Sequence, residues 1–530
     1  MSRSQQEKEE LQRRIRGLTT ILHKFAVRKW PSEQPRYYSQ AQSFLHHFTT
    51  LLTGGGEYAR DAKRVFAVTG SIDPGQPVRA LVVAQNPRSE SPVGSISLTQ
   101  VKKSHRSLDE MVESPLNPDL IGHIADTWSA LSAIDRHATD YTQKVQSLEI
   151  FFLSRSIREF TELWEDTWLC GGKQLAVVIA QWKTNRPEIT PRWVDSGWLD
   201  AEFSDKTKHD WSVILVALLS SVDKAIEDLK RTEKERENVR REMETLNTCC
   251  RMLYYFVSWK AEIVPDLLTK TNMVDGMTET SMPMRTPSAA DEVVIDDELT
   301  ARQPDLGESK GNKSLPDLLR NIEIALVEVP RSPPSVLTLG EISDEFFIRF
   351  PDMIRNREIV LETLEWRCSD KRRHSDNNPD MFFGCIHAEA MLMGLLNYYN
   401  CYSAHAGQGV GIQNPQIMQH IVQPEVAEAG EAVIAVSKRC CWCCEWLGKN
   451  LESQFTLPGT HGMMYPWDPP NVGVSESVLK KLEGELWDQL YRVVLKSVEP
   501  LWTSSTGLPE VYQSAPKSLK LPQEFLSLYK

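Results

Sequence analysis

The stretch from Cys385 to Leu451 limits what this chain can fold into more than any other. It opens with Cys385-Ile386-His387-Ala388-Glu389-Ala390 and closes with Ser437-Lys438-Arg439-Cys440-Cys441-Trp442-Cys443-Cys444-Glu445-Trp446-Leu447. A His-x-Glu followed at a distance by Cys-x-x-Cys offers three soft or borderline donors for one metal ion and leaves a fourth position open. A carboxylate beside that open position moves protons without itself binding the metal. Any fold for this chain has to bring the two ends of the stretch together.

Local patterning says how. Ala390, Met391, Leu392, Leu395 and Leu396 continue after His387 as good helix formers with an apolar stripe, so His387 and Glu389 open a helix. Residues two apart on a helix point nearly opposite ways, so both reach one site only from the first turn or its cap. Cys441 and Cys444 are three apart, which puts both sulfurs on one face of a turn. A helix start also favours thiolate there. The run Ala432-Val433-Ile434-Ala435-Val436 reads as a short buried strand delivering the second helix.

These residues carry a resemblance. The block resembles the cytidine deaminase-like superfamily, whose signature is His-x-Glu and then Pro-Cys-x-x-Cys. More closely, "HAEAMLM", "AVSKRCCWCCEWL" and "GTHGMMYPWDPP" resemble the predicted fungal deaminases related to bacterial toxin deaminases, the OTT-like branch. There Ser-Lys-x-x-Cys-x-x-Cys replaces the proline form. The resemblance covers roughly residues 316 to 475. It implies a three-layer α/β/α domain, Zn2+ as cofactor, His387, Cys441 and Cys444 as metal ligands, and Glu389 as the proton shuttle. Cys440 stands where the wider superfamily has proline, which leaves two overlapping frames, Cys440/Cys443 and Cys441/Cys444. The second aligns with the branch pattern.

Around this block the expected fold class is α+β. Residues 1–269 read as a mainly helical N-terminal region, 270–315 as a disordered acidic linker, 316–475 as the deaminase-like domain and 476–530 as a C-terminal helix and tail. Leu11, Ile15, Leu18, Ile21 and Leu22 mark an early amphipathic helix beside Arg13, Arg14 and Arg16, which suit either a solvated face or a nucleic-acid contact. Ala80–Val83 is a strand candidate, and after Asn86 the chain turns loop-rich. A long helix starts near Asp210 on the stripe Ile214, Leu218, Val222, Ile226 and Leu229 and runs on through Lys230–Glu244. Trp164, Trp168, Trp182, Trp193 and Trp198 read as core. A helix over Leu315–Ile322 and strands at Val336–Leu339 and Ile359–Leu361 open the domain. Ser475 caps a final helix on Val478, Leu479, Leu482, Leu486 and Leu490.

The net charge of −12 argues against a nucleic-acid coat protein, although Arg349, Arg355, Arg357, Arg367 and Lys371–Arg373 form a local basic belt. Ten cysteines, clustered rather than spread, with a polar N-terminus, point to reduced thiols and an intracellular, cytoplasmic or nuclear protein that is not secreted. The apolar run Val213–Leu219 is too short to span a bilayer. Tyr465 and Trp467, with His461, could line a substrate pocket in which a base stacks. The expected function is a zinc-dependent hydrolase removing the exocyclic amine of a nucleobase, cytosine or adenine, free or in nucleic acid. Two other readings stay open: a structural zinc module with Cys385, Cys440 or Cys443 as fourth ligand, and an idle deaminase fold. A protein partner for the helical N-terminal region fits all of them.

Overall fold

In the computed structural model of the chain the described residues are 3–27, 40–54, 65–70, 80–87, 96–113, 119–165, 208–235, 239–259, 319, 322–331, 337–368, 382, 384–402 and 432–503. They are mostly helical, with several short strands, and fall into two units. The first is Met1–Ser107, Leu116–Asp135 and Leu315–Ala515; the second is Leu108–Pro115, Arg136–Ser314 and Pro516–Lys530. The division expected from sequence, at residues 269 and 316, is therefore not the one seen. The first hundred residues belong with the domain that carries the His-x-Glu block.

The reason lies in the sheet. Two helices, α1 (Arg3–Lys24) and α2 (Gln40–Leu51), precede strands β1 (Phe66–Gly70), β2 (Ala80–Gln85) and β3 (Ser97–Val101). Helix α3 (Leu120–Ser132) and strand β4 (Glu323–Glu328) follow. Then come α4 (Leu339–Arg349), α5 (Arg357–Cys368), β5 (Cys385–Ile386) and α6 (Ala388–Tyr402). The last elements are β6 (Ala432–Val433), β7 (Ala435–Val436), α7 (Trp442–Asn450), β8 (Phe455–Thr456), β9 (Trp467–Asp468) and α8 (Glu476–Thr503). Strand order in the main sheet is β3-β4-β2-β1-β7. β2 and β4 run parallel, and the other pairs are antiparallel. Parallel β6 and β8 form a separate two-stranded sheet, as do parallel β5 and β9. Every residue of β2 is buried, as a strand covered on both faces must be.

Expectation and structure part at several points. Glu323–Glu328 is a strand, where the apolar spacing up to Ile322 suggested only a helix. Of the expected strand Val336–Leu339, the described residues Leu337–Leu339 are not strand. Thr338 caps α4, its hydroxyl accepting from Glu341 N while the Glu341 carboxylate accepts from Thr338 N, and this capping box turns the run into a helix start. Ile359–Leu361 lies inside α5, with Val360 and Leu364 buried at helical spacing. Phe66–Gly70 and Ser97–Val101 are strands that sequence did not mark, whereas Ala80–Val83 lies in β2 as expected. Ala432–Val436 is strand, interrupted at Ile434.

Helix α1 is integral to the first unit. Leu11, Ile15, Leu18, Ile21 and Leu22 are all at most 1% exposed, and the helix packs on α8, α5, α4 and β9. Its arginines are spent inside the unit. Arg16 Nε lies 2.7 Å from Asp468 Oδ1, with both side chains buried. Arg14 pairs with Glu483 and Glu10, and Arg13 with Glu10. Thr19 Oγ1 is 3.1 Å from Trp467 N and 3.2 Å from Trp467 O, so a helix side chain replaces an edge-strand neighbour of β9. Gly473, at φ +66°, crosses α6 so closely that an added β-carbon would fall 1.7 Å from the Gly394 carbonyl oxygen.

In the second unit, the helix expected from Asp210 through Glu244 is two: Lys208–Glu235 and Val239–Trp259, packed on each other. Leu218, Val222, Ile226 and Leu229 are buried along the first. Trp164 is half-buried and donates its indole N–H to Asp223. The other four tryptophans of that group, and the expected linker, lie outside the described residues. Among the described residues no helix is long and apolar enough to cross a membrane.

Candidate metal centre

β5 delivers His387 to the residue immediately before α6, whose Met391 N donates to His387 O at 2.9 Å. Glu389 is the second residue of that helix. Cys441 is the N-cap of α7, with extended backbone, and its sulfur accepts from Cys444 N at 3.4 Å. Two helix starts therefore meet. His387 Nδ1 lies 3.4 Å from Cys441 Sγ and 3.5 Å from Cys444 Sγ, and the two sulfurs are 3.4 Å apart. Glu389 Oε1 is 3.7 Å from the same imidazole nitrogen. One donor atom from each of the four residues lies within 4.8 Å of all the others.

The donor set fits zinc. Bonds of about 2.3 Å to sulfur and about 2.0–2.1 Å to nitrogen set tetrahedral donor edges of about 3.5–3.8 Å, close to the observed triangle. Glu389 lies beside this triangle, its Oε1 3.7 Å from His387 Nδ1. Its Oε2 is buried without a hydrogen-bond partner, an arrangement that native proteins rarely leave unexplained. Cys440 and Cys443 are buried but fall outside the donor set, so the structure assembles the Cys441/Cys444 frame.

Electrostatics divides the thiols. Burial pushes the Cys441 thiol up, but hydrogen bonds from Cys443 and Cys444 and the charge of His387 outweigh it and hold the pKa well below the usual thiol range. Burial raises Cys440, Cys443 and Cys444, and the negative Cys441 adds to each. For His387, burial alone favours the neutral ring; Cys441 and Cys385 beside it lift the pKa well above that of a free imidazole.

Several supporting residues were not apparent from sequence. Asn86, just after β2, accepts the Ala388 N–H on its side-chain oxygen at 2.7 Å and so caps α6 from across the chain. The dipeptide Asn86-Pro87 gives no sign of this and reads as a turn. Ser437 exchanges two bonds with Phe66 of β1, N to O at 2.9 Å and Phe66 N to Oγ at 3.0 Å. Thr460 Oγ1 donates to Cys440 O at 2.8 Å, and His461 N to the same oxygen at 3.2 Å.

The expected pocket pair separates. Trp467 is fully buried in β9 and is a core residue, so in this structure it offers no ring to a substrate. Tyr465 is 36% exposed, between the rings of His23 and His461. Two members of the basic belt are neutralised: Arg349 pairs with Glu345 and Glu483, and Arg357 with Asp344. Lys371–Arg373 lie outside the described residues.

Residues 386–471, about a sixth of the chain, match a family model described as "OTT_1508_deam:-like deaminase". This stretch is thus similar to a deaminase family and holds all four clustered residues. No curated protein and no solved structure matches the chain.

Proposed function

We propose that this chain is a zinc-dependent hydrolase that removes the exocyclic amine of a nucleobase, cytosine or adenine, free or within a nucleic acid. One observation carries the reading: three donor atoms form a zinc-sized triangle at two facing helix starts, beside a buried carboxylate oxygen with no partner. The deaminase-like match over the same residues supports it. So does the burial of β2 on both faces, which suits a three-layer α/β/α domain of cytidine deaminase-like type.

His387, Cys441 and Cys444 would hold the ion. Zinc there supplies Lewis acidity that makes water a nucleophile near neutral pH. Glu389 takes a proton from that water and passes it on to the departing amine. The carbon–nitrogen bond breaks, a carbonyl replaces the amine and ammonia leaves. Asn86 and Ser437 hold the two helix starts in register, through Ala388 and Phe66 respectively. The side chain of His387 is 11% exposed against 3% for Glu389, which marks the imidazole side as the approach.

A second reading, a closed structural zinc site, draws on Cys385, whose thiol hydrogen-bonds the His387 ring. A buried Glu389 Oε2 with no hydrogen-bond partner speaks against it, since a closed site has no use for one. Elemental analysis and deamination assays on the wild type, Glu389→Gln and Cys441→Ala decide between the two. We expect roughly one zinc per chain, kept in Glu389→Gln with turnover down about 10²–10⁴-fold, and lost in Cys441→Ala. Turnover that survives Glu389→Gln removes the mechanism. Zinc without any turnover in the wild type favours the closed site.

A further inference from the structure

Arg367, in the basic belt, sits against aromatic rings. Arg367 has no carboxylate partner among the described residues; its guanidinium lies 4.7 Å from the Trp366 ring and 5.5 Å from the Phe25 ring. Stacking on rings leaves its N–H edge available to an anion. Trp366 is 65% exposed, which is unusual for so large a side chain. Phe25 follows the last turn of α1, two residues after His23. The His23 ring is 5.3 Å from Tyr465 and tilted only 33°, and Tyr465 meets His461 edge-on at 5.4 Å. Bonds from His23 Nδ1 to Met464 O (2.8 Å) and from Met464 N to Val27 O (3.3 Å) fix the end of α1 to this loop. The backbone N–H of His461 in turn donates to the carbonyl of Cys440, next to the ligand Cys441.

We infer that these six side chains form a track for single-stranded nucleic acid that ends at the metal centre. Rings in series, two of them exposed, with a cation that no carboxylate among the described residues cancels, are what a strand of unpaired bases and phosphates needs. Exposed Lys438 and Arg439, directly before Cys440, put further positive charge at the inner end. A duplex keeps its bases stacked internally and offers nothing to the rings. The overall negative charge is no obstacle to a local track, because exposed charges more than about 10 Å away are largely screened at moderate salt. The inference rests on the deaminase reading for what happens at the inner end, since such enzymes act on bases outside a duplex.

The test is fluorescence anisotropy with the full chain and a short labelled oligonucleotide of mixed sequence, as single-stranded RNA, single-stranded DNA and annealed duplex. Single strands should bind well ahead of duplex, and the RNA and DNA arms show which sugar is preferred. Trp366→Ala and Tyr465→Ala should each weaken binding about tenfold. Trp366→Phe, which keeps a ring, should restore most of the loss. Arg367→Gln should lower the slope of log affinity against log salt by about one. Lys449→Ala, which removes an exposed cation that is not one of the six residues and already pairs with Glu445, should bind as the wild type. No single-strand binding, equal duplex binding, or track variants at wild-type affinity would overturn the inference. Zinc content and turnover of free nucleosides, measured on the same wild-type preparation, separate the two proposals. Zinc and nucleoside turnover without strand binding sink the track alone. Strand binding that the track variants abolish, without zinc or turnover, sinks the deaminase reading alone.

Discussion

The block from Cys385 to Asp468 and the first hundred residues serve the same unit in opposite ways. The block supplies every donor atom of the candidate centre: His387, Glu389, Cys441 and Cys444. The early residues supply none, yet they hold the block in shape. β1 lies between β2 and β7. Asn86 caps the helix that starts at Ala388. Arg16 and Thr19 anchor β9. Donor chemistry can be written into a short motif because a helix start is a local structure. Bringing two helix starts to 3.4 Å is a long-range problem, and here it is solved by residues some 300 positions away in sequence.

The comparison breaks most simply by separating the two parts. α8 buries Leu479, Leu482, Leu486 and Leu490 completely, in the core it shares with α1. Each fully buried side chain of this kind contributes about 1.5–3 kcal/mol. Removing α1 strips the cover from several of them and from β9, a loss comparable with the whole stability of a typical domain, about 5–15 kcal/mol. A fragment spanning residues 315–515 should therefore be insoluble or protease-sensitive, with no stable zinc. A folded, zinc-loaded fragment would show that the block is self-sufficient and that the early residues are an accessory.

A single side chain gives the next largest effect. The Arg16–Asp468 pair is only 8% and 3% exposed. Removing one partner leaves a buried charge without its counter-ion, which costs about 3–5 kcal/mol. Arg16→Ala should lower the unfolding free energy of the first unit by that amount, and Arg16→Lys should recover part of it. A loss near zero would mean that α1 merely lies on β9.

Legibility in sequence follows the same division. Cys441 as a cap with Cys444 in the next turn, and His387 opening a helix, are set by spacing alone and are readable. The stripe on α1 is readable as amphipathic, but nothing in it says that its partner is α8, more than 450 residues on. Glu323–Glu328 is six residues long and sits beside apolar residues at helical spacing, so strand and helix are indistinguishable until β2 lies alongside it. Asn86 has no signature at all, because its role depends on Ala388. The arginines near residue 14 and the belt from Arg349 present the same ambiguity: a cationic run in sequence does not show that Glu483, Asp468 and Asp344 neutralise Arg14, Arg16, Arg349 and Arg357 while Arg367 goes without a carboxylate among the described residues.

A smaller effect tests the capping contact. Losing an N-cap acceptor costs about 1–2 kcal/mol, so Asn86→Ala should destabilise the first unit by that much. It should also weaken zinc retention against a chelator more than an unrelated variant of equal stability does, since His387 stands at the freed helix end. Asn86→Asp keeps the acceptor and should retain much of the fold. Equal zinc retention in Asn86→Ala and such a control would reduce the residue to scaffolding.

The smallest expected effect calibrates the others. Arg357 and Asp344 form the same kind of pair as Arg16 and Asp468, at a similar 2.8 Å, but with side chains 49% and 66% exposed. Water screens such a pair, and exposed pairs contribute about 0.2–1 kcal/mol, less in salt. Asp344→Ala is the cleaner substitution, because it leaves the Arg357 guanidinium in place 4.7 Å from the Phe347 ring. Its cost should be under about 1 kcal/mol and should shrink as salt is added, whereas the Arg16→Ala cost should barely move. If both pairs cost the same and respond alike to salt, burial is not what makes Arg16 matter, and the anchoring of the block by α1 rests on its apolar stripe alone.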